Sequence, residues 1–123
     1  LEGFTHARHY LPGEIIFDQG EEGQALYIVI SGQVIICHPG KSESPIAELG
    51  SGSFFGELAL LYDAPRSAQA RAGAETELAA FFRGDFERLM DSHARIASRI
   101  ALQLARNLGQ RLRSSVACQV ESA

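Results

Sequence analysis

Short apolar runs separated by turn-forming residues make up the first two thirds of the chain. Glycine follows each run within four residues, and the runs lie at residues 15–17, 26–30, 34–36, 45–49, 67–72 and 77–82. Short strands with turn signals at regular intervals are typical of an antiparallel barrel or jelly roll. We therefore predict a jelly-roll β-barrel over about residues 5–82.

The apolar spacing becomes helical after residue 82. Phe86, Leu89 and Met90 fit a short helix. This helix begins near Asp85, whose carboxylate suits the positive end of the helix dipole. Asp91–Ser92 offers an N-cap for a second helix. Apolar residues follow at four-residue steps along that helix, namely Ile96, Ile100, Leu104, Leu108 and Leu112. The fold predicted is α+β, mainly β, with two C-terminal helices within about residues 83–113.

Residues 54–70 combine features that suit a phosphate cradle. Gly56 lets the backbone approach a ligand, and the first N–H groups of the helix-like run after it can face an anion. Arg66 adds a guanidinium fork for phosphate oxygens. Glu57 only accepts hydrogen bonds when ionised, so it suits a sugar hydroxyl and would repel an adjacent phosphate. A pocket with both side chains would accept a sugar phosphate.

This stretch closely resembles the phosphate-binding cassette of cyclic nucleotide-binding domains. The resemblance rests on Phe-Gly-Glu-Leu-Ala-Leu-Leu and, three residues later, Pro-Arg-Ser-Ala, which together span residues 55–68. We call residues 55–68 the cassette. Residues 12–20 and 25–34 also resemble the early strands and hairpin of the family, so the resemblance covers about residues 8–113.

The resemblance implies a regulatory module that binds cAMP or cGMP and has no catalytic residue. In the family the glutamate takes the ribose 2′-hydroxyl and the arginine takes the exocyclic phosphate oxygens, which carries over to Glu57 and Arg66. The implied ligand-binding residues are Phe55, Gly56, Glu57, Leu58, Ala59, Arg66, Ser67 and Ala68. Family members with threonine at the Ser67 position are associated with cGMP, so serine there favours cAMP slightly. The alternative is a ligand-free jelly roll for interaction or dimerisation, with a buried Glu57–Arg66 pair.

The family also implies a role for the last helix, which would shield the base when a nucleotide binds. Leu108 and Leu112 would then form a lid, or the helix would form the seam of a homodimer. Simple packing on the barrel stays open as an alternative. Gly109 weakens a helix by about 1 kcal/mol relative to alanine, which is consistent with a hinge or a fraying end.

Length and the family pattern bear on the organisation of the protein. The 123 residues suffice for one domain with one core, so residues 1–123 are interpreted as a single domain. The family has a helical stretch before the first strand and few residues precede it here, so we expect a fragment of a longer protein with an unknown effector domain. A catabolite-activator-type transcription factor is one alternative parent, and its DNA-binding part would follow Arg113.

Composition argues against several classes of partner. Residues 1–82 hold four Lys/Arg against eleven Asp/Glu, whereas residues 83–123 hold seven against four. Nucleic-acid binding needs clustered cations, so we expect none through this chain. No apolar run reaches the roughly 18 residues of a membrane span, so no membrane insertion is expected. Cys37 and Cys118 lie in no metal or redox spacing, which favours two reduced thiols and a cytoplasmic location, with a disulfide as the alternative.

The histidines do not indicate a metal site. A cupin-like metal oxygenase on a jelly roll would need several histidines and an acid that converge inside the barrel, a grouping absent from the spacing of His6, His9, His38 and His93. We expect no acidic or cysteine partner beside His6 and His9. We therefore expect neither a bound metal nor an enzyme.

Overall fold

The computed structural model describes residues 2–60 and 63–122, and the side chains of all these residues except Glu2, Arg111 and residues 114–122. Two 3-10 helices span Glu2–Phe4 and Glu57–Leu60, and the second is called the cassette helix below. The strands are β1 His6–Tyr10, β2 Ile15–Phe17, β3 Ala25–Ser31, β4 Val34–Cys37, β5 Ala47–Leu49, β6 Phe54–Phe55, β7 Gln69–Ala72 and β8 Thr76–Phe82. The α-helices are α1 Arg83–Ser92 and α2 Ala94–Ser122.

The strands form two four-stranded antiparallel sheets, in the orders β1-β8-β3-β6 and β2-β7-β4-β5. Each order places strands side by side that are distant in sequence, as a jelly roll does. The predicted fold class, mainly β with two C-terminal helices, is confirmed. Within the described residues, however, the strands form two sheets rather than one closed barrel. The strands β5 and β6 at the sheet edges are only three and two residues long.

The core of the β region draws on both sheets. Its buried members are Phe17, Val34 and Ala70 from one sheet and Val29, Phe55 and Leu78 from the other. The rings of Phe17 and Phe55 lie 5.8 Å apart between centroids, so aromatic packing joins the strand that leads into the cassette to the opposite sheet. The run Phe54–Phe55 was not predicted as a strand, since two residues give no alternation to detect.

The chain divides into two compact units, Leu1–Phe86 and Glu87–Ala123.

Helix α1 begins where predicted: the Asp85 carboxylate accepts a hydrogen bond at 3.0 Å from the backbone N–H of Phe82. This is the reciprocal half of a capping box, which satisfies one of the unpaired N–H groups at a helix start.

The predicted N-cap of the last helix at Asp91–Ser92 is wrong. Both residues belong to the last turn of α1, and the Ser92 hydroxyl donates to the carbonyl of Arg88 at 2.8 Å. Serine can bond a carbonyl one turn back as readily as it caps the next helix, so its presence did not fix the boundary.

Helix α2 extends past residue 113 to Ser122, so Gly109 lies inside it rather than at its end. Its apolar residues are not one uniformly buried face: Leu104 is 4% exposed, whereas Ile96 is 41% and Leu112 is 68% exposed. The reason is geometric. A helix turns about 100° per residue, so four-residue steps drift by about 40° each and move around the helix. No helix in the described part of the chain is both long enough and apolar enough to cross a membrane.

Candidate functional site

The cassette begins with a sharp backbone change at Gly56. This residue has a positive φ of 74°, which side-chain-bearing residues rarely adopt, and it joins β6 to the cassette helix. A Cβ at Gly56 would also lie 2.5 Å from Nη1 of Arg66. The glycine is therefore required both by the turn and by the close approach of the arginine.

Arg66 is held in place by two carbonyl groups and an aromatic face. Its Nη2 donates to the carbonyl of Ala25 at 2.8 Å, and its Nη1 donates to the carbonyl of Gly56 at 3.2 Å. The guanidinium carbon lies 4.2 Å from the ring centroid of Phe17 and 5.9 Å from that of Tyr27. Such stacking over a ring face is favourable for a cation.

The charge of Arg66 is partly desolvated. Burial lowers the pKa of its guanidinium below the ordinary value, while Tyr27, Glu21 and Glu57 raise it. Arginine remains protonated in proteins under all ordinary conditions, so the site holds a positive charge. Because the guanidinium is already partly desolvated, a ligand that binds it has less water to displace.

Sequence reasoning missed the contribution of the loop after β2. The sequence did not indicate a contact between this loop and the cassette, yet the loop backbone pairs with that of Arg66: Gly20 N–H donates to the Arg66 carbonyl at 2.9 Å, and Arg66 N–H donates to the Glu21 carbonyl at 2.7 Å. Gly23 is buried, and a Cβ there would overlap Nε of Arg66. Only the glycine pattern hinted at this, and glycine in an acidic loop is equally typical of an ordinary turn.

Glu57 is the first residue of the cassette helix and is 1% exposed. Its negative charge favours the protonated guanidinium and so raises the pKa of Arg66. Eight residues lie between Glu57 and Arg66 in the chain, and Arg66 Nη1 donates to the carbonyl of Gly56, the residue next to Glu57. Charged residues are seldom fully buried in a protein, so the burial of the Glu57 side chain is unusual.

The other predicted site residues differ in exposure. Phe55 and Ala59 are buried, and the Phe55 ring stacks on Tyr27 at 5.3 Å between centroids. Leu58 is 38% exposed, Ser67 is exposed and Ala68 is half-buried. Of the proposed lid, Leu108 is half-buried and Leu112 is exposed, and both lie on α2.

Two histidines have acidic partners that the sequence did not indicate. His6 Nε2 lies 3.2 Å from Asp85 Oδ2, and His9 Nε2 lies 3.0 Å from Glu75 Oε1. The prediction that these histidines have no acidic neighbour is wrong. Glu75 lies just before β8 and Asp85 shortly after it, and β8 pairs with β1, which carries both histidines. The acids are different for each histidine, and no group of three His, Cys, Asp or Glu able to hold a metal occurs among the described residues.

Cys37 is a free, buried thiol, and its Sγ lies 3.7 Å from the Gln69 side-chain oxygen. The side chain of Cys118 lies outside the described residues.

Comparisons with known proteins bear on the same segment. Residues 7–93 match the family model described as "Cyclic nucleotide-binding domain". The chain is 46% identical over 107 residues to the cyclic AMP receptor protein of Thermus thermophilus, covering 85% of this chain and 50% of that protein. It is 36% identical over 81 residues to the cAMP-dependent protein kinase regulatory subunit of Hypocrea atroviridis, covering 66% of this chain and 17% of that protein.

Among solved structures, the crystal structure of Thermus thermophilus catabolite activator protein is similar with a TM-score of 0.75 and 43% identity. The match covers 88% of this chain and 52% of that chain. The chain therefore spans about half the length of its Thermus relative and a smaller share of the kinase subunit.

Proposed function

We propose that this chain, which belongs to the cyclic nucleotide-binding domain family, binds cAMP or cGMP at the cassette and regulates a longer protein of which it is one domain. Arg66 binds the exocyclic phosphate oxygens, and Glu57 accepts a hydrogen bond from the ribose 2′-hydroxyl. Backbone and side chains of Phe55, Gly56, Leu58, Ala59, Ser67 and Ala68 complete the cassette around the sugar phosphate. The chain performs no catalysis in this role.

The observation that carries the proposal is the setting of Arg66. A guanidinium has five N–H donors, and the bonds to the Ala25 and Gly56 carbonyls leave further donors for a phosphate. Its partial burial supports a strong charge-assisted bond, since a desolvated pair interacts more strongly than an exposed one. Glu57 lies at the start of the adjacent helix, which suits a ligand with an anionic end and a hydroxyl end.

We assign cAMP as the preferred ligand over cGMP. The names of the Thermus receptor and of the kinase subunit refer to cAMP, and Ser67 stands where threonine accompanies cGMP in the family. Binding is relayed to the effector domain through α1 and α2, with Leu108 and Leu112 covering the base. A homodimer seam on α2 is the other use of its exposed leucines.

Isothermal titration of the 123-residue chain with cAMP and cGMP tests the proposal. Arg66→Leu should weaken binding by roughly thirty- to several-thousand-fold, because truncating one side of a desolvated charge pair costs about 2–5 kcal/mol. Arg8→Leu, at an exposed position of β1, is the matched control and should bind as the wild type does.

Two outcomes would overturn the proposal. Wild-type protein that binds neither nucleotide would favour the ligand-free jelly roll. An Arg66→Leu variant with wild-type affinity would mean that the phosphate is held elsewhere.

A further inference from the structure

A second arginine, Arg83, binds the C-terminal end of the cassette helix. It is the first residue of α1, and its Nε donates to the carbonyl of Ala59 at 2.9 Å while its Nη1 donates to Oδ1 of Asp63 at 2.8 Å. The last carbonyls of a helix have no partner inside the helix, and a cationic side chain is a favourable partner for them. Arg83 therefore caps the cassette helix with a side chain from another element.

The two bonds of Arg83 differ in their surroundings. Its side chain is 25% exposed, whereas that of Asp63 is 75% exposed. An ion pair with so exposed a carboxylate contributes little, because solvent screens it. Ala59 is buried, so the bond to its carbonyl is the protected one and the one expected to hold the helix.

Arg83 and Arg66 are also attached to two adjacent residues at the start of β3, Gln24 just before the strand and Ala25 in it. The Arg83 backbone N–H donates to the carbonyl of Gln24 at 2.9 Å, and Arg66 Nη2 donates to the carbonyl of the next residue, Ala25, at 2.8 Å. The start of β3 is thus a common support for both arginines. One arginine carries the charge at the beginning of the cassette helix, and the other holds its end.

We propose that Arg83 is a positioning residue for the nucleotide: it fixes the cassette helix relative to Arg66, and it connects that helix directly to the first turn of α1. This inference rests on the proposed function and adds the residue through which the occupied cassette acts on α1. Arg83 does not contact the ligand in this scheme. Its effect is transmitted through the Ala59 carbonyl, so it concerns the sugar phosphate and is independent of the base.

Four variants separate this role from a general effect on the fold. Arg83→Ala removes both bonds, Arg83→Lys retains the charge but not the fork that reaches two acceptors, and Asp63→Ala removes only the exposed pair. Arg95→Ala, an exposed arginine of α2, is the matched control. Each variant is titrated with cAMP and cGMP, and its thermal unfolding and hydrogen exchange are measured without ligand.

Arg83→Ala should weaken cAMP and cGMP binding by the same factor, about tenfold or more, since a hydrogen bond to a charged group is lost. Arg83→Lys should fall between this variant and the wild type. Asp63→Ala should change affinity by less than about fivefold, as expected for an exposed pair, and Arg95→Ala should not change it. In the ligand-free protein, Arg83→Ala should speed exchange at residues 57–60 more than at β3 or β8.

Equal affinity in Arg83→Ala and wild type would overturn the inference, as would a loss that differs between cAMP and cGMP. A loss matched by equal acceleration of exchange throughout the β region would assign Arg83 to general stability instead. If the wild type binds neither nucleotide, the proposed function fails. Hydrogen exchange alone then decides the inference. If Arg83→Ala does not speed exchange selectively at residues 57–60, the inference is overturned.

Discussion

At the scale of single residues, the position of the Arg66 side chain depends on the absence of side chains beside it. The guanidinium of Arg66 passes two glycines, Gly23 and Gly56, and a Cβ on either would collide with it. The aromatic face of Phe17 lies on the guanidinium as well, so the side chain has little room to relocate. Small residues in the walls thus determine where the charge is held.

Gly23→Ala is expected to weaken cyclic nucleotide binding strongly while leaving the fold intact. Gly23 has no positive φ, so alanine causes no backbone strain, but its methyl group would displace Nε of Arg66. Loss of a hydrogen bond to a charged group costs about 1.5–3 kcal/mol, which is roughly ten- to 150-fold in affinity. Titration with cAMP checks the affinity, and thermal unfolding checks the fold. Gly3→Ala, where the added Cβ meets nothing within 4 Å, is the control. Wild-type affinity in Gly23→Ala would show that Arg66 adapts or is not needed.

Glu57→Gln should cause a milder loss than Arg66→Leu. The amide oxygen still accepts a hydrogen bond from a hydroxyl, but the charge that strengthens the bond is gone, at a cost of about 1–2 kcal/mol. The informative measurement compares cAMP with its 2′-deoxy analogue in wild type and variant. The variant should discriminate less between the two ligands. Equal discrimination in both proteins would remove Glu57 from the ribose.

At the scale of elements, α2 carries several leucines that are exposed or half-buried. Its residues Leu102 and Leu112 are 52% and 68% exposed, and Leu108 is half-buried. The two proposed uses of these leucines are a cover for the base and a homodimer seam. A ligand can only draw the helix over the base if it binds the closed form more tightly than the open one.

Hydrogen exchange in residues 100–113 should slow when cAMP is added. If Leu108 and Leu112 cover the base, the gain is about 25 cal/mol per Å² of apolar area removed from water. Leu108→Ala should then reduce both the protection and the affinity, whereas Leu102→Ala serves as a control on the same helix. Protection confined to residues 56–68, with unchanged exchange in α2, would make α2 a packing element. The contact of Arg83 with the cassette helix would then be the remaining proposed link between ligand binding and α1.

At the scale of the whole molecule, binding is linked to stability. A ligand that binds only the folded chain raises the free energy of unfolding by about 2.7 kcal/mol at a hundred times its dissociation constant. We expect cAMP to raise the melting temperature of the wild type accordingly. The melting temperature of Arg66→Leu should stay nearly unchanged at the same concentration. An equal rise in both proteins would place the bound nucleotide outside the cassette.

The sequence by itself determined the features that depend on near neighbours. Turn residues and short apolar runs predicted most of the strands along the chain and the start of α1 near Asp85. The assignment of Gly56, Glu57 and Arg66 to a ligand site stays a prediction. The strand and helix predictions are confirmed because backbone preferences and helix capping act over a few residues. The same local information failed at Asp91–Ser92, since one residue type serves two competing local bonds.

Only the tertiary structure decided which distant groups meet. Ala25 and Arg66 are 41 residues apart, Arg83 and Ala59 are 24 apart, and His9 and Glu75 are 66 apart. Their contacts follow from the register of strands in two interleaved sheets, which a single sequence does not specify locally. The carbonyl acceptors that hold both arginines are backbone atoms, identical in every residue, so no side-chain pattern could have identified them.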